Sequence, residues 1–165
     1  MEAKAIVRAD GKTITFTVLC LAYALQMTLG IQAGYTDYSI LPHILFSFFH
    51  ANVFHLAANL LTATMLHYTF RDFVISYMLT VALSFFAVTE LPTMGFSGIL
   101  YVMIGINSNL FHGRFGFWKG WFVMFLLVGL VCPHMNGLLH LLCFVSGLVI
   151  QFIRKTKHDY AKAGR

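Results

Sequence analysis

The chain has 165 residues, 59% of them hydrophobic and 10% charged, with a mean hydropathy of +0.77. A soluble domain carries about 25% charged residues, so this composition excludes an ordinary soluble globular domain. The net charge of +5 does not mark a nucleic-acid binder, because the basic residues are parcelled out between long apolar runs. Cys20, Cys132 and Cys143 lie in those runs without CxxC spacing and read as reduced packing residues.

A bilayer core of about 30 Å needs about 20 apolar helical residues, and the charged residues cut the chain into pieces of that order. Residues 13–30 form the first predicted span. Its basic start resembles a signal peptide, but the apolar part is longer than a usual signal core and no A-x-A site follows, so it is read as an anchor. Residues 31–49 hold Pro42 and the aromatic patch Phe46, Phe48 and Phe49, which predicts a loop lying in or on the membrane interface. A second span follows at 50–69, a third at 73–89 and a short fourth at 97–111. Residues 120–153 are uncharged and would extend roughly 50 Å as one helix, too far for one crossing. The Pro133–Gly137 stretch supplies a turn, giving spans at 119–132 and 137–153. The predicted fold class is an all-α membrane protein: a single domain over residues 1–165, with six transmembrane helices and a membrane-embedded first loop.

Six spans place both termini on one side. That side then holds Lys4, Arg8, Lys12, Arg71, Arg114, Lys119, Arg154, Lys155, Lys157, Lys162 and Arg165, every Lys and Arg in the chain. The other side keeps the acids Asp37 and Glu90. By the positive-inside rule both termini are expected in the cytoplasm.

Polar residues inside such spans are functional candidates. Counting at helical rise to the nearest cytoplasmic charge puts Ser97 about 26 Å, His55 about 24 Å, His140 about 21 Å and Asn59 about 18 Å from it. Four polar residues from three helices thus share a layer towards the outer face. Each has a plain structural alternative: a membrane serine or asparagine often holds helices together, and glycines allow close helix contact. The joint pattern favours a site. His55 and Asn59 stand at i, i+4 on one face, as do Ser97 and Tyr101.

The ordered set of motifs resembles the rhomboid family of intramembrane serine proteases. His50-Ala51-Asn52-Val53-Phe54-His55-Leu56-Ala57-Ala58-Asn59 is similar to its H-x-x-x-x-H-x-x-x-N signature, and Gly95-Phe96-Ser97-Gly98 to its G-x-S-G. Tyr101 and Gly105 fall at matching positions beyond the serine, and His140 with Gly147 resembles the motif of the last helix. The likeness runs over residues 42–153. It implies Ser97 as nucleophile, His140 as general base and acid, and Tyr101 stacked beneath His140. It implies an oxyanion site made of the Ser97 N–H, His55 and Asn59, and His50 as a buttress of the loop. No cofactor or metal is implied. The expected partners are the lipid bilayer and transmembrane protein substrates cut near the outer side of the membrane. The small size is like that of bacterial members, which implies a plasma-membrane location.

The chain departs from the family pattern at Cys143, where a glycine is usual, and a side chain there predicts a wider gap between the fourth and last helices. The Trp-Arg pair of the first loop is absent, and Arg71-Asp72 stands where Glu and Arg are usual. Two other readings compete. One is a rhomboid-like pseudoprotease that binds membrane-protein clients. The other is a transporter or metal-binding protein using His50, His55, His134 and His140, disfavoured because residues at i, i+5 point apart and no HExxH occurs.

Overall fold

The first helix forms where the uncharged run predicts it: α1 (Gly11–Leu29) has 19 residues, about 28 Å at helical rise. Its Leu21, Leu25, Met27 and Leu29 are each more than half exposed. The computed structural model describes residues 11–31, 34–108, 126–127, 129–131 and 135–163. Among the described residues the helices that follow are α2 (Ile40–Leu45), α3 (Val53–Met65), α4 (Phe70–Ser84), α5 (Ser97–Ile106) and α6 (Gly137–Ala163), with a 3-10 turn at Phe46–Phe48 after α2.

Among the described residues two helical segments, Lys12–Leu29 and Gly137–Lys157, are long and apolar enough to cross a membrane. The segment Ile40–Phe48 and α3 pass the same test together, bent by 74° at the break between them. With large apolar side chains such as Phe54, Phe86, Val131 and Phe152 more than two-thirds exposed, this is a membrane-embedded helical protein: water would not tolerate so much uncovered apolar surface.

α4 shows the inverse side of that pattern. Its buried positions recur every four residues as Asp72, Ser76, Thr80 and Ser84, while Val74 and Met78 face outward. Small polar residues on the inward stripe let helices approach closely, and in lipid nothing is gained by hiding leucines instead. The helix is started by a capping box: Thr69 Oγ1 accepts from the Asp72 N–H and Asp72 accepts from the Thr69 N–H, satisfying two donors that a helix start leaves open. The same carboxylate takes a 2.6 Å hydrogen bond from Arg154 of α6.

α5 is the centre of the molecule. Every residue from Gly98 to Gly105 is buried, and α6 and α4 pack against it. At ten residues it is about 15 Å long, half the thickness of a bilayer core of about 30 Å. A helix this short starts or stops at depth, and non-helical backbone at depth survives only where protein or a cavity satisfies it.

The contacts at the helix ends sort into two sets. At one, Lys12 Nζ donates to the Thr64 carbonyl, Tyr68 to Thr15, and Arg154 to Asp72. At the other, Tyr35, Ala87, Thr93 and Asn136 meet. The start of α1, the end of α3, the start of α4 and the charged part of α6 therefore lie together.

The predicted loop at 31–49 contains more order than expected. Tyr35 and Thr93 form an isolated antiparallel bridge. The buried His43 ring is sandwiched between Tyr35 and Phe85, with centroids 4.1 and 3.9 Å away. Its Nδ1 lies 2.6 Å from Ser84 Oγ, and its Nε2 donates to the Asp37 carbonyl at 2.7 Å. Gln26 of α1 secures the end of this segment, its amide donating to the His50 carbonyl and accepting from the His50 N–H.

The predicted spans need adjustment. His50 stands before α3 instead of within the second span, since Asn52 at the helix cap accepts the His55 N–H and sets the start at Val53. α4 stops at Ser84, where Phe85 turns to cover His43. α5 stops at Ile106, closed by Asn107, whose side chain donates to the Met103 carbonyl. α6 runs ten residues past 153. Of the span expected at 119–132, residues 126–127 and 129–131 are helical, and the remainder lies outside the described residues.

Candidate active site

Ser97 is the first residue of α5. Its own N–H and that of Gly98 fall among the donors that a helix leaves without an intrahelical acceptor, so they are available to an anion. Gly95 makes this placement possible. Its φ of +122° is strained for any residue with a side chain, and a Cβ built on it would lie 2.5 Å from Cε1 of the His55 ring. Its N–H donates to the Phe46 carbonyl at 2.9 Å, tying the turn to the 3-10 segment. Gly95→Ala is accordingly expected to cost about 1–3 kcal/mol for the backbone strain and to displace His55. Thermal unfolding in micelles checks it, and an unchanged midpoint would contradict this account of the turn.

His140 comes from the first turn of α6, with its N–H bonded to the Asn136 carbonyl. It is 6% exposed, and its Nε2 is 2.8 Å from Ser97 Oγ. The ring of Tyr101, one turn along α5 from the serine, stacks on the imidazole with centroids 4.5 Å apart and planes 25° from parallel. The imidazole is thus held from one face and aimed at one hydroxyl. A serine hydroxyl within hydrogen-bond reach of an oriented imidazole is the arrangement that general-base activation of a nucleophile requires.

Two glycines bring α5 and α6 together. A Cβ on Gly147 would run into the Val102 carbonyl and Gly105, and one on Gly105 into the Phe144 carbonyl and Gly147. Gly98 is excluded from carrying a side chain by Thr80, whose Cγ2 lies 2.6 Å from where the Cβ would stand. Cys143 is buried, with its Sγ 3.7 Å from Thr80 Oγ1 of α4 and equally close to the position a Cβ on Gly98 of α5 would take, and with this side chain in place Ser97 and His140 still stand at hydrogen-bond distance.

A cavity of about 370 Å³ is lined by Ser97, His140, His55, Asn59 and Tyr101, together with Met94, Met135 and Leu139. His55 and Asn59 reach it from successive turns of α3. Asn59 is 5% exposed, and its Nδ2 has no hydrogen-bond partner among the described residues. A buried amide donor left open in the cavity that holds a serine hydroxyl is of the kind that can stabilise negative charge developing there. His50 is fully buried outside the cavity lining, its ring edge-on to His55 at 5.2 Å. Thus Ser97, His140, Tyr101, His55, Asn59 and Gly95 gather at one place, while Gly98, Gly105, Gly147 and His50 support it from behind.

Three residues of consequence are absent from the sequence-based site: His43, Gln26 and Asn136. Nothing in their spacing distinguishes them, since each acts on backbone or on partners far along the chain. Among the described residues no group of three or more His, Cys, Asp or Glu is placed to hold a metal ion; His134 lies outside the described residues. The chain matches no protein-family model and no curated protein.

Proposed function

We propose that this chain is a rhomboid-type intramembrane serine endopeptidase, crossing the membrane six times with both termini in the cytoplasm. The observation that carries the reading is the 2.8 Å contact between Ser97 Oγ and His140 Nε2 at the start of a half-length buried helix. In the proposed reaction His140 Nε2 takes the Ser97 proton as Oγ adds to the scissile carbonyl carbon of a transmembrane substrate. The oxyanion formed is held by the Ser97 N–H and the side chains of His55 and Asn59. Collapse breaks the C–N bond, and His140 gives its proton to the departing amine. Water, deprotonated by the same imidazole, then releases the acyl group from Ser97. Among the described residues no carboxylate joins the pair, and the Tyr101 ring does the orienting that an aspartate does in a triad.

The reading is tested by cleavage of a model transmembrane substrate in liposomes. Wild type is expected to cut it, with and without a chelator, and Ser97→Ala is expected to be inactive. Cleavage surviving in Ser97→Ala, or lost on chelation, would sink the proposal. A folded wild type that holds the substrate without cutting it would favour the pseudoprotease.

A further inference from the structure

Resting on that reading, we infer that Asn136 is a positioning residue, which sets the separation of Ser97 and His140 from the outer end of the site. Asn136 stands four residues before His140, as Thr93 stands four residues before Ser97. The Asn136 Nδ2 donates to Thr93 Oγ1 at 2.9 Å, to the Ala87 carbonyl at 2.6 Å and to the Tyr35 hydroxyl at 3.1 Å. Its Oδ1 accepts the Leu139 N–H and so caps α6. One amide therefore joins the start of the helix that carries His140 to the segment that leads into Ser97. That segment is itself fixed, because Tyr35 and Thr93 exchange backbone hydrogen bonds at 3.1 Å in both directions.

The Gly105–Gly147 contact fixes α5 against α6 beyond the site. Asn136 fixes the same two chain segments ahead of it. The Ser97–His140 hydrogen bond lies between these two fastenings, and slack at either one lengthens it. A displacement of about 1 Å in a reacting pair lowers a rate by about a hundredfold.

The two halves of the Asn136 amide can be separated. Asn136→Asp keeps the cap acceptor, and a carboxylate at a helix start is favourable in itself, but the variant loses the bond donated to the Ala87 carbonyl, sets a carboxylate oxygen against that carbonyl, and can keep Tyr35 and Thr93 only as donors. Thr93→Val leaves Asn136 and its cap whole and removes the acceptor on the Ser97 side. Both are measured with the transmembrane substrate in liposomes, alongside thermal unfolding.

Asn136→Asp is expected to lower kcat by about ten- to a hundredfold with little change in KM. Thr93→Val is expected to lower kcat in the same way by a smaller factor, and the double variant to lose less than the product of the two. Wild-type kcat in both single variants overturns the role. So does a fall in kcat that only follows a fall in unfolding temperature, which marks a purely structural residue. Should Asn136→Asp fail to fold, Thr93→Val decides alone. A wild type that neither cleaves nor reacts with a serine-directed probe overturns the protease reading itself, and this role falls with it.

Discussion

His140→Ala is expected to lower kcat by about 10⁴-fold or more while leaving the protein folded. In Ser-His-Asp proteases, loss of a member that moves the proton leaves only the residual catalysis of binding and oxyanion stabilisation, and the same limit applies to a two-residue site. The imidazole here holds Ser97 Oγ at 2.8 Å and packs on Tyr101. Its removal deletes the only group seen within reach of that hydroxyl among the described residues. The fold depends more on the backbone crossing of α5 and α6 and on the Asn136 cap, which alanine at 140 leaves alone. Cleavage kinetics and a melting curve check both halves. Activity within tenfold of wild type would show that another group takes the proton.

Gly147→Leu is expected to be destructive for a different reason. The position faces the Val102 carbonyl and Gly105 across the helix crossing, so the new side chain meets backbone, which cannot rotate aside. Overpacking of a tight core costs about 3 kcal/mol or more in unfavourable cases. The helices can meet only by moving apart, and Ser97 and His140 sit on opposite members of that pair. A loss of activity of about a hundredfold or more is expected alongside the lower melting temperature. Gly147→Ala tests the gradation, with an intermediate loss. A Gly147→Leu protein as stable and active as wild type would contradict the crossing described here.

The sequence and the structure agree best where one physical cause sets both hydropathy and backbone. α1 lies over an uncharged run, the last helix starts where the Pro133–Gly137 turn predicts, and α5 begins at the serine of Gly95-Phe96-Ser97-Gly98 because Gly95 allows the turn that precedes it. Depth counting put Ser97 and His140 in one layer, yet only the fold brings them to hydrogen-bond distance. Span ends were less legible. Hydropathy counts Phe85 as membrane helix, whereas its ring is used to cover His43. It also stops α6 at Arg154, although Arg, Lys and Gln are good helix formers and the helix simply continues into the charged region.

The roles of Gln26, His43 and Asn136 were hidden for another reason. Each bonds backbone groups of segments that are not helical, a demand that shows only once the fold brings those segments to them. Asp72 was read as a departure from the family pattern at a span boundary. It caps α4 and pairs with Arg154, so the acid and the base that hold this end together come from helices far apart in the chain.

The central claim is that Ser97 is a nucleophile activated by His140. It is tested most directly by treating the folded, detergent-solubilised protein with a fluorophosphonate and locating the adduct by mass spectrometry. The account predicts one covalent adduct, on the peptide containing Ser97, absent from Ser97→Ala and strongly reduced in His140→Ala. A folded wild-type protein that stays unlabelled, or one labelled equally well after His140→Ala, would contradict it.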